Sequence, residues 1–462
     1  MNTIINILLF ILILGVLVFV HELGHFLTAK KSGVFIHEFS IGMGPIVKQI
    51  TGKDGIKYSI RALPIGGFVQ MAGEIYEDDD TNKIPKNEFM CNKKWWQRLI
   101  ILCAGVFNNF LLAIITLFFI ALIWGATSLK SVIYDVVPNM PFAKAGIVAG
   151  DEITSINGKK VKTWDRAQLL LLFKEKDNTY EIGIKHKDGS KDTYNITPSE
   201  EYEVFIDPNK DGIYNVAVSI DVDKTGNGEV DTKVYAIEKE KDSNIYVDNL
   251  GNEYIDENKD WIYTIDNDEI VKEKEEKSED SFEIDVDADD DGEKDTTIKA
   301  VYDEDGNIIQ KDAQKIRAFG ILMKSEEESG NRFINAIKFA FQKFISVVDQ
   351  MCLTLKGLFT GKVSINQLSG PVGIYTVVGE TRKAGIASVL FLMAYLSINL
   401  GVMNILPIPA LDGGHVLFLL IEMITKKKVN AKVEAITTTI FFVLLLLLMI
   451  YITIHDVFTL IL

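Results

Sequence analysis

Four apolar blocks, each close to the length of a bilayer-spanning helix, constrain this 462-residue chain more than any other feature. They cover about residues 3–28, 98–124, 386–408 and 434–461. Roughly 20 consecutive apolar residues are needed to cross a membrane as an α-helix. No basic segment precedes the first block and no small-residue cleavage site follows it, so we expect it to be retained rather than cleaved as a signal peptide. The pattern predicts a polytopic α-helical membrane protein with four transmembrane helices.

The basic residues beside these blocks predict the orientation of the chain. Positively charged flanks are typical of the cytoplasmic side of a membrane. Both termini and the long 126–385 region are therefore expected to lie outside the cytoplasm. The net charge of −16 is carried largely by that outer region, which argues against nucleic acid as a partner. The flanking residues are Lys30, Lys31, Lys93, Lys94, Arg98, Lys426, Lys427, Lys428 and Lys432.

The first apolar block runs directly into an HExxH motif formed by His21, Glu22 and His25. Residues four apart share one face of a helix, so both imidazoles can bind one metal ion with the carboxylate beside them. Zinc suits such a pair, and Glu22 is placed to accept a proton from a zinc-bound water. The alternative is a pair of histidines that cap a helix, with Glu22 as an interfacial charge. An ionisable cluster continuous with a membrane span favours the metal site.

A break in the third block supplies a candidate for the missing metal ligand. Pro407 and Pro409 interrupt the helix, which is tolerated at membrane depth only against protein or a water-lined cavity. Asp412 follows them, and an acid at this depth is costly without a cation. The remaining histidines are scattered, so a carboxylate is the expected third ligand, and His415 is expected to be structural or to support the site.

The three cysteines, Cys91, Cys103 and Cys352, give neither a disulfide framework nor a CxxC site.

The outer region divides into a predicted β-domain and an acidic insert. Residues 132–172 resemble a PDZ domain, with an Ala145-Gly146-Ile147 turn and an Asn157-Gly158 hairpin signal. The predicted PDZ domain comprises 126–199 and 313–325, and a β-rich acidic insert covers 200–312. Its groove would bind chain ends or only screen substrates by size.

Two internal similarities indicate a duplicated unit in the insert: 206–214 recurs as 255–263, and 222–234 as 286–298. Asp287, Asp289 and Asp291 form the best candidate calcium loop of this region. The loop lacks the glutamate that completes an EF-hand, so solvated acidic turns are the alternative.

Residues 326–385 are predicted to contain an amphipathic helix, at 332–357, which lies on the outer surface or docks on the protein.

Residues 21–47, HELGHFLTAKKSGVFIHEFSIGMGPIV, resemble the opening of the site-2 protease family of intramembrane zinc metalloproteases. The likeness is to the bacterial branch with a PDZ domain, the regulator of sigma-E protease type. The Leu411-Asp412-Gly413 motif matches the family's LDG, which implies that Asp412 is a zinc ligand.

The resemblance also implies substrate contacts. Asn404 matches an asparagine thought to hold substrate backbone, and Asn109 matches a Gly-x-x-x-Asn signature, although interhelical packing is an equal alternative there. The segment at about 56–74 resembles the family's cytoplasmic, membrane-associated β-hairpin, with its turn near Pro64, and strand addition would bind an extended substrate. Its expected substrate-contacting residues are Gly66, Gly67 and Phe68.

These features predict a protease core made of residues 1–125 and 386–462, with its active site in the cytoplasmic half of a bacterial inner membrane. The expected activity is cleavage of transmembrane segments of single-pass proteins. The resemblance to the family implies that the substrates are anti-sigma factors already trimmed by a site-1-type protease, or remnant signal peptides. Zinc would acidify a water and stabilise the oxyanion, while Glu22 moves the proton. A zinc transporter and a non-catalytic PDZ scaffold are the alternatives. The single ligand set and the intact Glu22 favour the enzyme.

Overall fold

The structure is a computed structural model of the full chain. It describes residues 2–73, 84–137, 140–173, 178–201, 316–322, 328–365 and 368–461. Within the acidic insert it describes 204–208, 210, 213–223, 230, 232–239, 245–249, 252–255, 262–265, 281–287, 296–302 and 307–311. The chain forms two compact units, one made of residues 1–129 and 325–462 and the other of 130–324.

The first unit is built from long apolar helices. Four of its described helices are long and apolar enough to cross a membrane, as the four apolar blocks predict. They are α1 (Asn2–Lys31), α2 (Trp95–Trp124), α7 (Ile386–Ile405) and α9 (Ala431–Ile461), with α5 (Arg332–Phe359), α6 (Pro371–Lys383) and α8 (Asp412–Thr425) among them. With the β-structure described below, this is a polytopic membrane protein with a β-domain.

Small residues bring the central helices α1, α2 and α7 into close contact. A Cβ atom added at Gly24 of α1 would collide with the Ala104 carbonyl of α2, and one at Gly401 of α7 would collide with the Phe110 ring of α2. Without a hydrophobic force between helices in lipid, such close packing is what holds membrane helices together. Ser397 Oγ adds a hydrogen bond of 2.8 Å to the Asn109 carbonyl oxygen. Helix α2 is therefore packed against both α1 and α7.

Helix α5 packs lengthwise against α2. Phe333 meets the Phe118 ring edge-on at 5.5 Å, and Phe344 meets Phe110 at 5.2 Å. Arg332 anchors the start of the helix by donating to the Ile123 carbonyl oxygen at 2.5 Å. Of the two arrangements predicted for the amphipathic segment, these contacts are those of a helix docked on the protein.

Helix α6 makes hydrogen bonds to the first described helix of the chain, α1, and to the last, α9. At its C-terminal end, Arg382 Nε donates to Asn6 Oδ1 of α1 at 2.6 Å. At its N-terminal end, Asp456 of α9 is buried and its Oδ2 accepts from the backbone N–H groups of Gly370 and Gly373, at 2.9 and 2.8 Å. A carboxylate stabilises a helix N-terminus because it binds N–H groups that have no partner within the helix. Asp456 thus links α9 to the start of α6.

Replacing Asp456 with alanine should destabilise the folded protein by about 1–3 kcal/mol, because two backbone donors at the start of α6 lose their acceptor. The measurement is thermal unfolding of the purified full-length protein in detergent. Asp456→Asn, which keeps one acceptor oxygen, should lie between alanine and wild type. An alanine variant as stable as wild type would show that the capping contact contributes nothing.

A long two-stranded sheet follows α1. Strand β1 (Ile36–Thr51) pairs antiparallel with β2 (Lys57–Met71), and the connecting turn lies at 52–56. The turn predicted near Pro64 is present as a bend within β2 and not as a hairpin turn: residues 57–60 run parallel to 38–41, whereas 67–70 run antiparallel to them. The first half of β1 pairs with both ends of β2: Phe39 lies opposite Tyr58 and also opposite Val69. The pair is accordingly curled, and the 67–71 end of β2 forms one of its edges.

The second unit contains a four-stranded antiparallel sheet and two short helices. The strand order is β5 (Lys159–Lys160), β4 (Glu152–Ile156), β6 (Tyr180–Lys185) and β7 (Lys191–Ile196). Helices α3 (Pro141–Lys144) and α4 (Trp164–Leu172) accompany it. Segments on the two sides of the insert also pair: β18 (Ile316–Ala318) with β8 (Ser199–Glu201), and β19 (Ile321–Leu322) with β3 (Asp135–Val136). A PDZ domain remains a prediction for this unit.

The insert forms one sheet in which similar sequences adopt the same pairing. Val222 of β10 lies opposite Thr232 of β11, and Val286 of β15 lies opposite Thr296 of β16, at the same separation along the chain. Likewise Ile206 pairs with Asn215, and Ile255 with Thr264. The strands are β9 (Val204–Ile206), β10 (Ile213–Asp223), β11 (Thr232–Glu238), β12 (Ile245–Asp248), β13 (Glu253–Ile255), β14 (Ile262–Ile265), β15 (Phe282–Asp287), β16 (Thr296–Tyr302) and β17 (Ile308–Gln310).

Candidate metal centre

Helix α1 places the two motif histidines side by side. His21 and His25 are each only 7% exposed, and their Nε2 atoms lie 3.2 Å apart. The Nδ1 atom of His25 lies 2.8 Å from the Ile101 carbonyl oxygen of α2, and the Nδ1 atom of His21 lies 3.1 Å from the Asn109 amide. Both rings are thus held from behind by α2, and their Nε2 atoms face a common point.

Asp412 reaches the same point from the other half of the sequence. Helix α7 ends at Ile405 and α8 begins at Asp412, so the two prolines lie in the break between them, as the sequence predicts. The tight turn needs glycine: a Cβ at Gly413 or Gly414 would collide with backbone carbonyl groups of 405–408. Asp412 Oδ2 consequently lies 3.1 Å from His21 Nε2 and 3.3 Å from His25 Nε2.

These three atoms have the spacing that a tetrahedral zinc ion requires. Zinc bonds of about 2.0–2.1 Å at tetrahedral angles separate neighbouring ligand atoms by about 3.3 Å. The donor set, two imidazoles and one carboxylate, is that of a catalytic zinc site with a fourth position for water. Asp412 Oδ2 is buried and makes no hydrogen bond of good geometry to any described residue. Among the described residues, this is the only cluster of three or more metal-ligating side chains.

Glu22 lies between the cluster and the edge of the β-sheet. It follows His21 on α1, and a Cβ added at Gly67 of β2 would come within 3.2 Å of Glu22 Cγ and of Val18 Cγ1. The absence of a side chain at Gly67 therefore lets the β2 backbone pass directly beside the carboxylate. Phe68 follows on the strand, with its ring 5.0 Å from the Arg61 guanidinium.

Arg61 braces the curled sheet at this edge. Its guanidinium donates to Glu38 at 2.8 Å, to the Ser40 hydroxyl at 3.0 Å and to the Gly44 carbonyl oxygen at 2.8 Å. A single planar cation thus ties β2 to three positions of β1. These bonds fix the course of the strand that passes Glu22.

Gly105 is a site residue that the sequence reasoning missed. A Cβ at this position of α2 would lie 2.7 Å from His21 Nε2 and would also overlap His25 Nε2. Only glycine leaves room for both ligand atoms at this point of α2. The Ala104-Gly105 pair indicates close helix packing, but the sequence does not indicate that histidine rings fill the space.

The other predicted site residues differ in position. Asn109 is fully buried against His21, whereas Asn404 is half-buried in the last turn of α7. His415 contacts Glu434 of α9, with Nδ1 and Oε1 3.3 Å apart. Asp287 is buried at the end of β15, while Asp289 and Asp291 lie outside the described residues, so calcium stays a prediction.

Comparison with known proteins gives the same classification as this geometry. The sequence matches peptidase family M50 over residues 9–448. It is 29% identical to the Regulator of sigma E protease of Haemophilus influenzae, over 92% of this chain and 93% of that protein. It is 26% identical to the Regulator of sigma-W protease RasP of Bacillus subtilis, over 98% of both chains, and 26% identical to the Zinc metalloprotease RasP of Bacillus licheniformis, over 99% of both. The chain therefore belongs to peptidase family M50 and is a zinc metalloprotease.

Proposed function

We propose that the protein is an intramembrane endopeptidase that cleaves transmembrane segments of single-pass membrane proteins. The observation that carries the proposal is the convergence of His21 and His25, on the membrane-length helix α1, with Asp412, which follows the membrane-length helix α7, beside Glu22. An ionisable cluster continuous with transmembrane segments has a functional purpose by default. A protease with this placement acts on peptide bonds that lie within or next to the bilayer.

The chemistry divides between the metal and Glu22. His21, His25 and Asp412 would hold zinc, which when bound supplies a Lewis acid and a water that is readily deprotonated. Glu22 accepts the proton of the attacking water and then donates it to the nitrogen of the departing amine. The flanking helices hold these groups in place and limit access of bulk water.

The substrate must be extended before it can be cut, because a helix covers its carbonyl groups with hydrogen bonds and side chains. The 67–71 edge of β2 passes beside Glu22 and offers backbone groups for strand addition. Gly66, Gly67 and Phe68 would contact the substrate there, and the half-buried Asn404 amide would hold its backbone. Strand addition requires no particular sequence, which suits an enzyme acting on diverse apolar segments.

The setting of the reaction follows from charge and from the relatives. The basic flanks support an orientation with both termini and the 126–385 region outside the cytoplasm, and with the active site in the inner half of a bacterial membrane. Two of the relatives are named regulators of sigma factors, which supports anti-sigma factors as substrates and remnant signal peptides as further ones. A site-1-type protease would make the first cut. The predicted PDZ domain would screen substrates by size or bind their newly formed ends.

The test uses purified full-length protein in proteoliposomes with a single-pass reporter. We expect mass spectrometry to find a cut within the reporter's transmembrane segment, lost after treatment with 1,10-phenanthroline and restored by zinc. Cleavage that persists in zinc-depleted protein would contradict the proposal. Zinc uptake by the vesicles without any cleavage would favour the transporter alternative.

A further inference from the structure

The Nδ1 atoms of the two proposed zinc ligands, His21 and His25, have different hydrogen-bond partners. His25 Nδ1 faces the Ile101 carbonyl oxygen at 2.8 Å, and a carbonyl oxygen only accepts hydrogen bonds. His25 therefore carries its proton on Nδ1 and presents a lone pair on Nε2. His21 Nδ1 faces the side-chain amide of Asn109, which has a donor end and an acceptor end. The orientation of Asn109 is thus linked to which ring nitrogen of His21 carries the proton.

In the orientation that the structure describes, Asn109 points its Nδ2 group at His21 Nδ1, at 3.1 Å. An NH₂ group only donates, so His21 Nδ1 accepts and the ring proton lies on Nε2, directed toward Asp412 Oδ2 at 3.1 Å. Asn109 Oδ1 is meanwhile buried without a hydrogen-bond partner among the described residues. In this tautomer Nε2 carries a proton and has no lone pair for a metal ion.

Turning the amide by half a rotation exchanges its two ends with little change in shape. Oδ1 then faces His21 Nδ1 and accepts its proton, and Nε2 is left with a lone pair directed at the point it shares with His25 and Asp412. Ligating histidines commonly donate their second N–H to such an acceptor, which fixes the tautomer and strengthens the ligand.

We propose that Asn109 is a positioning residue for zinc: its Oδ1 accepts from His21 Nδ1–H and holds His21 in the tautomer that offers Nε2 to the metal. The inference rests on the zinc site proposed above and assigns Asn109 a different role from that of a substrate contact. Asn109 has no exposed surface, and the His21 ring lies between its amide and the metal-binding point. A peptide at the metal could not reach this amide without displacing a ligand.

The test compares zinc affinity in the full-length protein carrying Asn109→Leu, which keeps the size but has no polar atom, and Asn109→Asp, which keeps the size and the acceptor. Zinc transfer to the chelator 4-(2-pyridylazo)resorcinol is followed by absorbance. We expect Asn109→Leu to weaken zinc binding about 10–100-fold and Asn109→Asp to retain affinity near that of wild type. Asn109→Ala checks that the loss does not come from the bulk of leucine.

Asn404→Ala is the matched control, because it removes an amide expected to contact substrate: it should lower the cleavage rate while zinc affinity stays unchanged. Circular dichroism of the metal-free proteins verifies that each variant is folded. Wild-type zinc affinity in a folded Asn109→Leu or Asn109→Ala protein would overturn the inference, as would an equal loss in Asn109→Asp. Wild-type protein that binds no zinc at all would instead contradict the proposed metal site.

Discussion

Replacing Glu22 with glutamine should leave one zinc ion bound and lower the cleavage rate by a factor of about 10²–10⁴. Glutamine has nearly the same shape but cannot take a proton from water, and Glu22 is not one of the three converging ligands. The measurement combines the zinc content of the purified protein with the initial rate of reporter cleavage in proteoliposomes.

His21→Ala is the control for this experiment, since it removes a ligand and should lower both zinc content and cleavage. Glu22→Asp should retain partial activity, because the shorter carboxylate is still a base but lies farther from the water. If Glu22→Gln cleaved the reporter at the wild-type rate, Glu22 could not be the group that moves the proton.

Substituting Gly105 with alanine should remove zinc and lower cleavage by about 10² or more, although the change adds only one methyl group. That methyl group would occupy the space of the His21 and His25 Nε2 atoms, so at least one ring must move. A shift of about 1 Å in a reacting or ligating group is enough for a loss of this size. Zinc content and cleavage rate are again the two measurements.

Gly15→Ala is the matched control, because Gly15 lies on α1 and an added Cβ would meet no atom within 4 Å. This variant should keep wild-type zinc content and activity. A Gly105→Ala protein with full zinc and full activity would show that α2 moves away from the histidines at no cost, contrary to the close packing described here.

The parts of the site that depend on local periodicity could be predicted from the sequence. His21 and His25 share a helix face because of their spacing alone, and membrane-length apolar blocks mark the helices that carry the site. Asp412 could be named because two prolines and an acid at membrane depth are unusual, and because the other histidines have no ligand spacing. These signals depend on residue type and spacing, and they do not require knowledge of which helices are neighbours.

What could not be predicted depends on contacts between distant segments. Gly105 resembles any small residue of a helix interface until the histidine rings are placed against it. Asp456 lies near the end of the last helix, and its partners at Gly370 and Gly373 are more than eighty residues earlier in the sequence. The turn at 52–56 is not apparent in the sequence, because Pro64 and the Gly66-Gly67 pair give a stronger local turn signal, which marks the bend within β2 instead.

The acidic insert likewise has one feature that can be predicted from its sequence and one that cannot. Its duplicated segments are visible in the sequence, and equivalent segments pair with the same register in the structure. The arrangement of the strands in one sheet is not visible, because β10 pairs in parallel with both β14 and β15. Parallel neighbours are joined by long connections, so no short turn signal marks them.

The most direct test of the central claim is X-ray absorption spectroscopy at the zinc edge on the purified full-length protein, together with metal analysis. The account predicts one zinc ion per chain, with two imidazole nitrogens and carboxylate or water oxygens at about 2.0–2.2 Å and no sulfur ligand. It also predicts that Asp412→Ala loses this zinc or binds it with one oxygen fewer from protein. Zinc bound by cysteine sulfur, or an unchanged spectrum and zinc content in Asp412→Ala, would contradict the assignment of His21, His25 and Asp412 as the metal site.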